Sequence, residues 1–358
     1  MSSEGVWAAQ DTSPAAVEAA LRKLLAERHE ESDAYVPARV LNLIAIIERE
    51  WKGEIQNRLE SVGRYHASRT VLCAYEEGRT TLDAFATMAA DHDPKPGEIV
   101  PLEERVELDV GPPHLRRLAT IVDPLIVPDL ITVVWSPHQH DEAVDELIEL
   151  AHVVLIDTVT SPEPGAALQR SRELWQNAYV VDLAWVRSMP WRERIAATFD
   201  PPVRRTLLDE IESMTVRHHE ESTTAAVLML AWLATRLGWE LPSPFESEPD
   251  TGFMCSHAHR DGREIALKLE PAPQNVPGLA GVTIEARGGM LSLDRGPGGL
   301  QAKQRSTAGV EASWVVLGAS RGEAGILGEG IRQALLRDPT YAPALEAATA
   351  MLREGAPA

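Results

Sequence analysis

Val40-Leu-Asn-Leu-Ile-Ala-Ile-Ile47 decides the fold. The stretch is apolar at nearly every position over the length of one strand. That is the pattern of a strand covered on both faces, not of one with a wet side. Working outward, an amphipathic segment over 51–62 predicts a helix, and Arg69-Thr-Val-Leu-Cys-Ala-Tyr75 predicts a second strand. Strand, helix and strand make one βαβ unit, with a right-handed crossover expected. The alternation continues with a strand over 106–110 and a helix opened by Pro112 or Pro113 that runs to about Ile126. A strand over 130–135, a helix over 141–150 and a strand over 153–157 follow. Upstream, Ser13 caps a helix over 14–28 with Val17, Leu21, Leu24 and Leu25 on its apolar face. Alternating strands and helices predict an α/β layered domain with a mainly parallel sheet.

Pro162-Glu-Pro-Gly165 breaks this pattern, and a helix over 166–177 follows it. In Asp182-Leu-Ala-Trp-Val-Arg-Ser-Met-Pro-Trp-Arg-Glu-Arg194, Pro190 suits the first turn of a helix and Ser188 is the expected N-cap. Trp191, Ile195 and Phe199 then recur at helical spacing. A strand is expected over 214–218, and residues 223–237 form a strongly apolar helix closed by Gly238. Short strands over 264–269, 282–287, 290–294 and 300–304 include a hairpin at Gly288-Gly289, and helices over 323–336 and 342–353 end the chain. This half predicts an α+β domain with a small antiparallel sheet. The expected division is residues 1–178 and 179–358, in keeping with the two cores that 358 residues usually build.

Bulk composition removes several function classes. Hydrophobic residues make up 44% of the chain and charged ones 25%, as in an ordinary globular protein. The formal net charge of −20 opposes binding to nucleic acid and to anionic membrane surfaces. No apolar run is long enough to span a bilayer, and the acidic start lacks the pattern of a signal peptide, so a cytoplasmic protein is expected. The two cysteines, Cys73 and Cys255, make no disulfide framework.

Sites for chemistry are sparse. Cys255-Ser-His-Ala-His259 puts three ligand types on one face of a strand, but the spacings typical of zinc sites are missing, and a polar edge strand explains it as well. Glycines from Gly318 to Gly330 crowd a helix entry without a Walker lysine or G-x-G-x-x-G, beside Glu323 and Glu329. There is no nucleophile elbow. Neither a catalytic residue, a metal nor a cofactor is therefore expected. Nine tryptophans stand beside five tyrosines and four phenylalanines, and tryptophan with arginine is the composition of binding hot spots. Trp185, Arg187, Trp191 and Arg192 are accordingly the candidate partner interface, with core packing as the competing reading of the tryptophans. His66 and Arg69 are candidates for contact with an anion, with a salt bridge as the alternative.

The D-L-A-W-x-R-x-x-x-W-R run from Asp182 to Arg192 resembles the signature of the glucose-6-phosphate dehydrogenase assembly protein family, OpcA. Three further stretches support the likeness. His66-Ala-Ser-Arg69 is similar to the family's His-Pro-Ser-Arg, with Ala67 for proline. The run from Leu125 to Trp135 resembles L-L-L-P-D-x-P-V-x-x-W-W, with Ile131 for the second proline and Ser136 for the last tryptophan. Trp232-Leu-Ala-Thr-Arg-Leu-Gly-Trp239 is similar to the W-L-A-x-R-L-G-W helix end. The resemblance implies a non-catalytic assembly factor or allosteric activator of glucose-6-phosphate dehydrogenase, serving the oxidative pentose phosphate pathway. The two halves would be the family's N-terminal and C-terminal domains. A sugar-phosphate sensor or enzyme using the α/β domain stays open as the alternative, as does a purely structural subunit. Stoichiometry and self-association are not fixed by the sequence.

Overall fold

The computed structural model describes residues 4–63, 67–138, 140–159, 161–241, 243–248, 251–306, 309–317 and 322–352. The strands of the first sheet are β1 (Glu4–Ala9), β2 (Tyr35–Pro37), β3 (Leu41–Glu48), β4 (Ser68–Tyr75), β5 (Asp83–Ala90), β6 (Val100–Val110), β7 (Ile131–Trp135), β8 (Val153–Ile156) and β9 (Tyr179–Asp182). They lie in the order β1-β5-β6-β4-β3-β7-β8-β9, with β2 beside β6. β6, β4, β3, β7 and β8 pair in parallel, while β5 and β1 run antiparallel at one edge.

β3 is the central strand the sequence predicts, buried from Leu41 through Ile47. The one polar residue of that buried run, Asn42, is fully buried and satisfied. Its carboxamide oxygen accepts the Val127 N–H at 2.9 Å, and its amide donates to the Val127 carbonyl at 3.0 Å and to Thr132. A buried amide without those partners would cost about 1–3 kcal/mol, so Asn42 pins the chain that enters β7. β5 and β1 are not anticipated because Ala84, Ala86, Ala89 and Ala90 are poor strand formers. The single helix expected from Pro112 to Ile126 is instead two short helices, Pro112–Leu115 and Leu118–Val122, followed by a 3-10 turn.

The second sheet comprises β10 (Ile211–His218), β11 (Glu246–Ser247), β12 (Met254–Arg260), β13 (Arg263–Pro271), β14 (Leu279–Ala286), β15 (Gly289–Gly296), β16 (Gly299–Ser306) and β17 (Glu311–Leu317). The order is β11-β12-β13-β10-β14-β15-β16-β17, antiparallel except where β10 and β13 run parallel. The α+β class is as expected, but the sheet has eight strands and is not small. The helix Thr223–Leu237 packs on β10 and β13, and the helix Tyr341–Met351 packs on it together with Pro164–Trp175. Thr223–Leu237 is buried along most of its length, which explains its continuous apolarity.

The chain forms two compact units that interleave in sequence instead of dividing at one point. The first takes Met1–Ile156, Asn177–Val181 and Glu323–Leu335, and the second takes Asp157–Gln176, Asp182–Gly322 and Leu336–Ala358. The helix Gly322–Leu336 contributes to the first unit, where Gly328 faces Val62 of the helix Lys52–Gly63.

Glu104 on β6 has a fully buried side chain and accepts from both Arg39 and Arg69, the latter at 2.8 Å. Burial raises its pKa, but the two guanidiniums win and hold the carboxyl below the usual glutamate range. Glu104→Gln is expected to cost about 3–5 kcal/mol, because two arginines then lose their only buried counter-charge among these contacts. Urea unfolding measures it, and a loss under about 1 kcal/mol would show a weakly coupled, solvated pair. The buried His114 and His218 have pKa values lowered first by burial. The unfolded state therefore takes up protons that the folded state refuses. Stability should fall as pH drops below about 6.5, until the lowered values are reached. His218→Asn should reduce that fall in a pH series of unfolding midpoints; an unchanged pH dependence would exclude His218 as a contributor.

Candidate functional site

The signature segment folds as two helices, Leu183–Arg187 and Met189–Phe199. Asp182 caps the first, accepting the Ala184 N–H at 2.9 Å. The same carboxylate accepts the Thr158 N–H and, at 2.6 Å, the Thr158 hydroxyl. Burial, with Asp157 nearby adding to it, pushes the Asp182 carboxyl up to about 6 despite these bonds. Ser188 does not cap the second helix. Its hydroxyl donates to the Trp185 carbonyl at 2.7 Å and accepts from Arg192 Nε at 3.1 Å. The chain at Ser188 is already helical, so no N–H of the next turn is left for its side chain.

Arg192 is the hub. Its guanidinium lies 3.7 Å from the centroid of the Trp185 ring, donates to the Trp185 carbonyl at 3.0 Å and reaches Asp338 Oδ2 at 3.2 Å. The Trp185 indole N–H donates to the same Asp338 oxygen at 2.9 Å. Burial lowers the Arg192 pKa to about 10, so the group stays charged at neutral pH. Burial works against the Asp338 carboxylate, but bonds from Thr340, Trp185 and Arg192 hold its pKa below the usual aspartate value. The Trp185 ring also meets Tyr341, which meets Trp175 in turn.

Trp185, Trp191 and Arg192 are thus 4%, 3% and 8% exposed, and they support their unit from inside. Arg187 keeps 17% of its side chain exposed and bonds Asp157 at 2.7 Å. Asp157, Thr158 and Asp338 were missed from sequence. Asp338 precedes Pro339 in what reads as a helix break, and its long-range partners leave no local trace.

The crevice of the first unit lies at the carboxyl ends of β3 and β7, on either side of the point where the strand order reverses. His138 and His140 occupy it from the loop after β7. The Glu48 N–H donates to His138 Nδ1 at 3.1 Å, and His140 Nε2 lies 3.4 Å from Glu48 Oε1. Trp51 faces the His138 ring at 5.9 Å and Tyr75 faces His140 at 5.3 Å. Burial lowers the pKa of both histidines, which favours neutral imidazoles. Nearby, Arg49, Lys52, Arg79, Asp83, Glu107 and Asp109 line a cleft of about 460 Å³. Each cation there has an acidic partner: Arg49 bonds Asp109 at 2.6 Å, Lys52 meets Glu107 at 3.0 Å and Arg79 bonds Asp83 at 2.7 Å.

The other expected site residues fare differently. Arg69 lies at the opposite, amino end of β4, engaged by Glu104 and by the Leu125 carbonyl at 3.1 Å, so its charge is already compensated. His66 lies outside the described residues, as do Gly318 and its neighbours through Arg321. Cys255, His257 and His259 share a face of β12, where the two imidazoles meet edge-on and the Cys255 thiol donates to Glu248. Among the described residues no group of histidine, cysteine and carboxylate side chains is arranged to hold a metal ion, and no helix is long and apolar enough to cross a membrane.

Residues 59–173 match the family model described as the glucose-6-phosphate dehydrogenase subunit N-terminal domain, and residues 178–345 match that of its C-terminal domain. A protein of Synechococcus elongatus named OpcA, for the OxPP cycle, is 28% identical over 185 residues, which are 51% of this chain and 40% of the relative. A Nostoc punctiforme protein of the same name is 28% identical over 164 residues, 44% of this chain and 35% of the relative. The matches thus span well under half of these relatives' lengths. An oxidoreductase from Sinorhizobium meliloti superimposes with a TM-score of 0.51 at 13% identity, covering 87% of this chain and 95% of that one, a likeness of fold alone.

Asp338→Ala should destabilise the protein by about 3–5 kcal/mol, since it strands a buried guanidinium. Arg187→Ala should cost less than this, because Arg187 keeps 17% of its side chain exposed against 9% for Arg192. Denaturant midpoints of the two variants decide this, and equal losses would contradict the assignment of Arg192 as the hub.

Proposed function

Because the chain belongs to the glucose-6-phosphate dehydrogenase assembly family, OpcA, we propose that it is a non-catalytic partner of glucose-6-phosphate dehydrogenase in the oxidative pentose phosphate pathway. The match to both subunit domain models supports this reading. The relatives' assignment to the OxPP cycle agrees with it. The chain supplies surface, and the dehydrogenase supplies the chemistry. A binder activates only by favouring one state of its partner over another. The preferred state is the dehydrogenase's active oligomer, or the form with high affinity for glucose 6-phosphate.

The signature segment contributes to this surface through Arg187, the one member of the expected set that is not buried. Trp185, Trp191 and Arg192 hold that surface in shape. A sugar-phosphate sensor gains no comparable support. The strand-entry arginine, Arg69, is engaged by Glu104, and the cations at the carboxyl edge are paired with carboxylates.

The test is the steady-state kinetics of the dehydrogenase from the same source, titrated with glucose 6-phosphate with and without this protein. A lower KM or a higher kcat, saturating near a stoichiometric ratio, is expected. Unchanged kinetics at saturating amounts of the chain would contradict the activator reading. Arg187→Ala should raise the concentration needed for half-activation by about threefold to tenfold, the effect of losing one peripheral charged contact. It should do so without loss of folding; an unaltered titration would remove Arg187 from the interface.

A further inference from the structure

The inner strands of the first sheet carry the order of a dinucleotide-binding unit. Counted from β3, the strands β6, β4, β3, β7, β8 and β9 are the third, second, first, fourth, fifth and sixth. Sheets wound this way take a dinucleotide across the gap between the first and fourth strands. The turn leaving the first strand must then meet three requirements. Glycines let the pyrophosphate approach the backbone, N–H groups at the helix entry stay free to bind it, and negative charge is kept away.

This chain lacks the glycines, carries negative charge at the helix entry, and already engages the N–H that ends its first strand. From strand to helix it reads Glu48-Arg49-Glu50-Trp51-Lys52, and Gly53 comes only after the helix has begun. Side chains stand where bare backbone is needed. The Glu48 N–H, at the start of the turn, is already bonded to His138 Nδ1 at 3.1 Å. The His138 ring fills the space in front of it, faced by Trp51, and His140 and Tyr75 continue the packing toward β4. Glu50 and Glu54 flank the helix entry and would repel a pyrophosphate. The compensating cations point to other partners, Arg49 to Asp109 and Lys52 to Glu107 and Asp109.

We infer that this crevice is a dinucleotide site closed by the chain's own imidazole and aromatic side chains, so that the doubly wound unit takes no nicotinamide or flavin dinucleotide. The residues do not fit the group that the strand order implies. The inference is independent of the proposed partner. It holds for the isolated chain and survives even if no dehydrogenase is bound.

Two measurements on the intact protein test it. NADP+, NADPH, NAD+ and FAD are titrated while tryptophan emission and the anisotropy of the reduced cofactor are followed. No saturable change is expected up to about 1 mM, the weak end of specific affinity. Saturable binding of any of the four would overturn the inference. Hydrogen exchange is then measured on the peptide spanning Glu48 at neutral pH. The Glu48 amide is expected to be protected, and His138→Ala should speed its exchange by about tenfold or more, because the bond to the imidazole is what shields it. Exchange in the unsubstituted protein as fast as in a free loop would mean that the crevice is open, and would also overturn the inference.

Discussion

The buried guanidinium of Arg192 is the constraint around which the second unit is arranged. A charge this deep is tolerated only when its donors are occupied and a counter-charge lies within reach. Trp185 gives it a ring face and a backbone carbonyl, Ser188 a hydroxyl and Asp338 a carboxylate. Asp338 serves two donors at once, the guanidinium and the Trp185 indole. It also caps the turn into the last helix through Thr340. One carboxylate therefore fixes both the paired helices of the signature segment and the start of Tyr341–Met351. The tryptophan-and-arginine composition that resembles a binding hot spot has a structural cause here, namely the desolvation of one arginine.

The first unit shows the same economy with charge. Its arginines and lysines lie against carboxylates: Arg39 and Arg69 on Glu104, Arg49 on Asp109, Lys52 on Glu107. The crevice where such a sheet would hold a cofactor is occupied by His138, His140 and Tyr75, with Trp51 half-exposed at its rim. The proposed role, binding a partner enzyme, calls on the surface and not on this crevice.

Much of the architecture was legible in the sequence. The β3 run announced a doubly covered parallel strand because burial on both faces leaves no polar period, and the helix Thr223–Leu237 announced itself in the same way. Strands whose stability comes from neighbours and not from their own residues were missed. β5 is rich in alanine, and β17 carries Glu311 and Ser313. The candidate residues were found, but not their roles. Composition marks Trp185 and Arg192 as special, yet only the fold shows that they face Asp338, 146 positions away from Arg192 in the chain. Ser188 reads as a cap from its place before Pro190, but its hydroxyl is taken within the same segment, by the Trp185 carbonyl and by Arg192 four residues on. Arg69 is open to either an anion or a salt bridge in the sequence, and Glu104, opposite it on the neighbouring strand β6, decides for the salt bridge.

The central claim is that this chain works by binding a dehydrogenase and not by chemistry of its own. Sedimentation velocity of the purified chain mixed with glucose-6-phosphate dehydrogenase from the same source tests it most directly. A faster boundary containing both proteins in a fixed ratio, formed whether or not NADP+ is present, is the expected result. Two boundaries that migrate independently at every ratio and cofactor concentration would contradict the account.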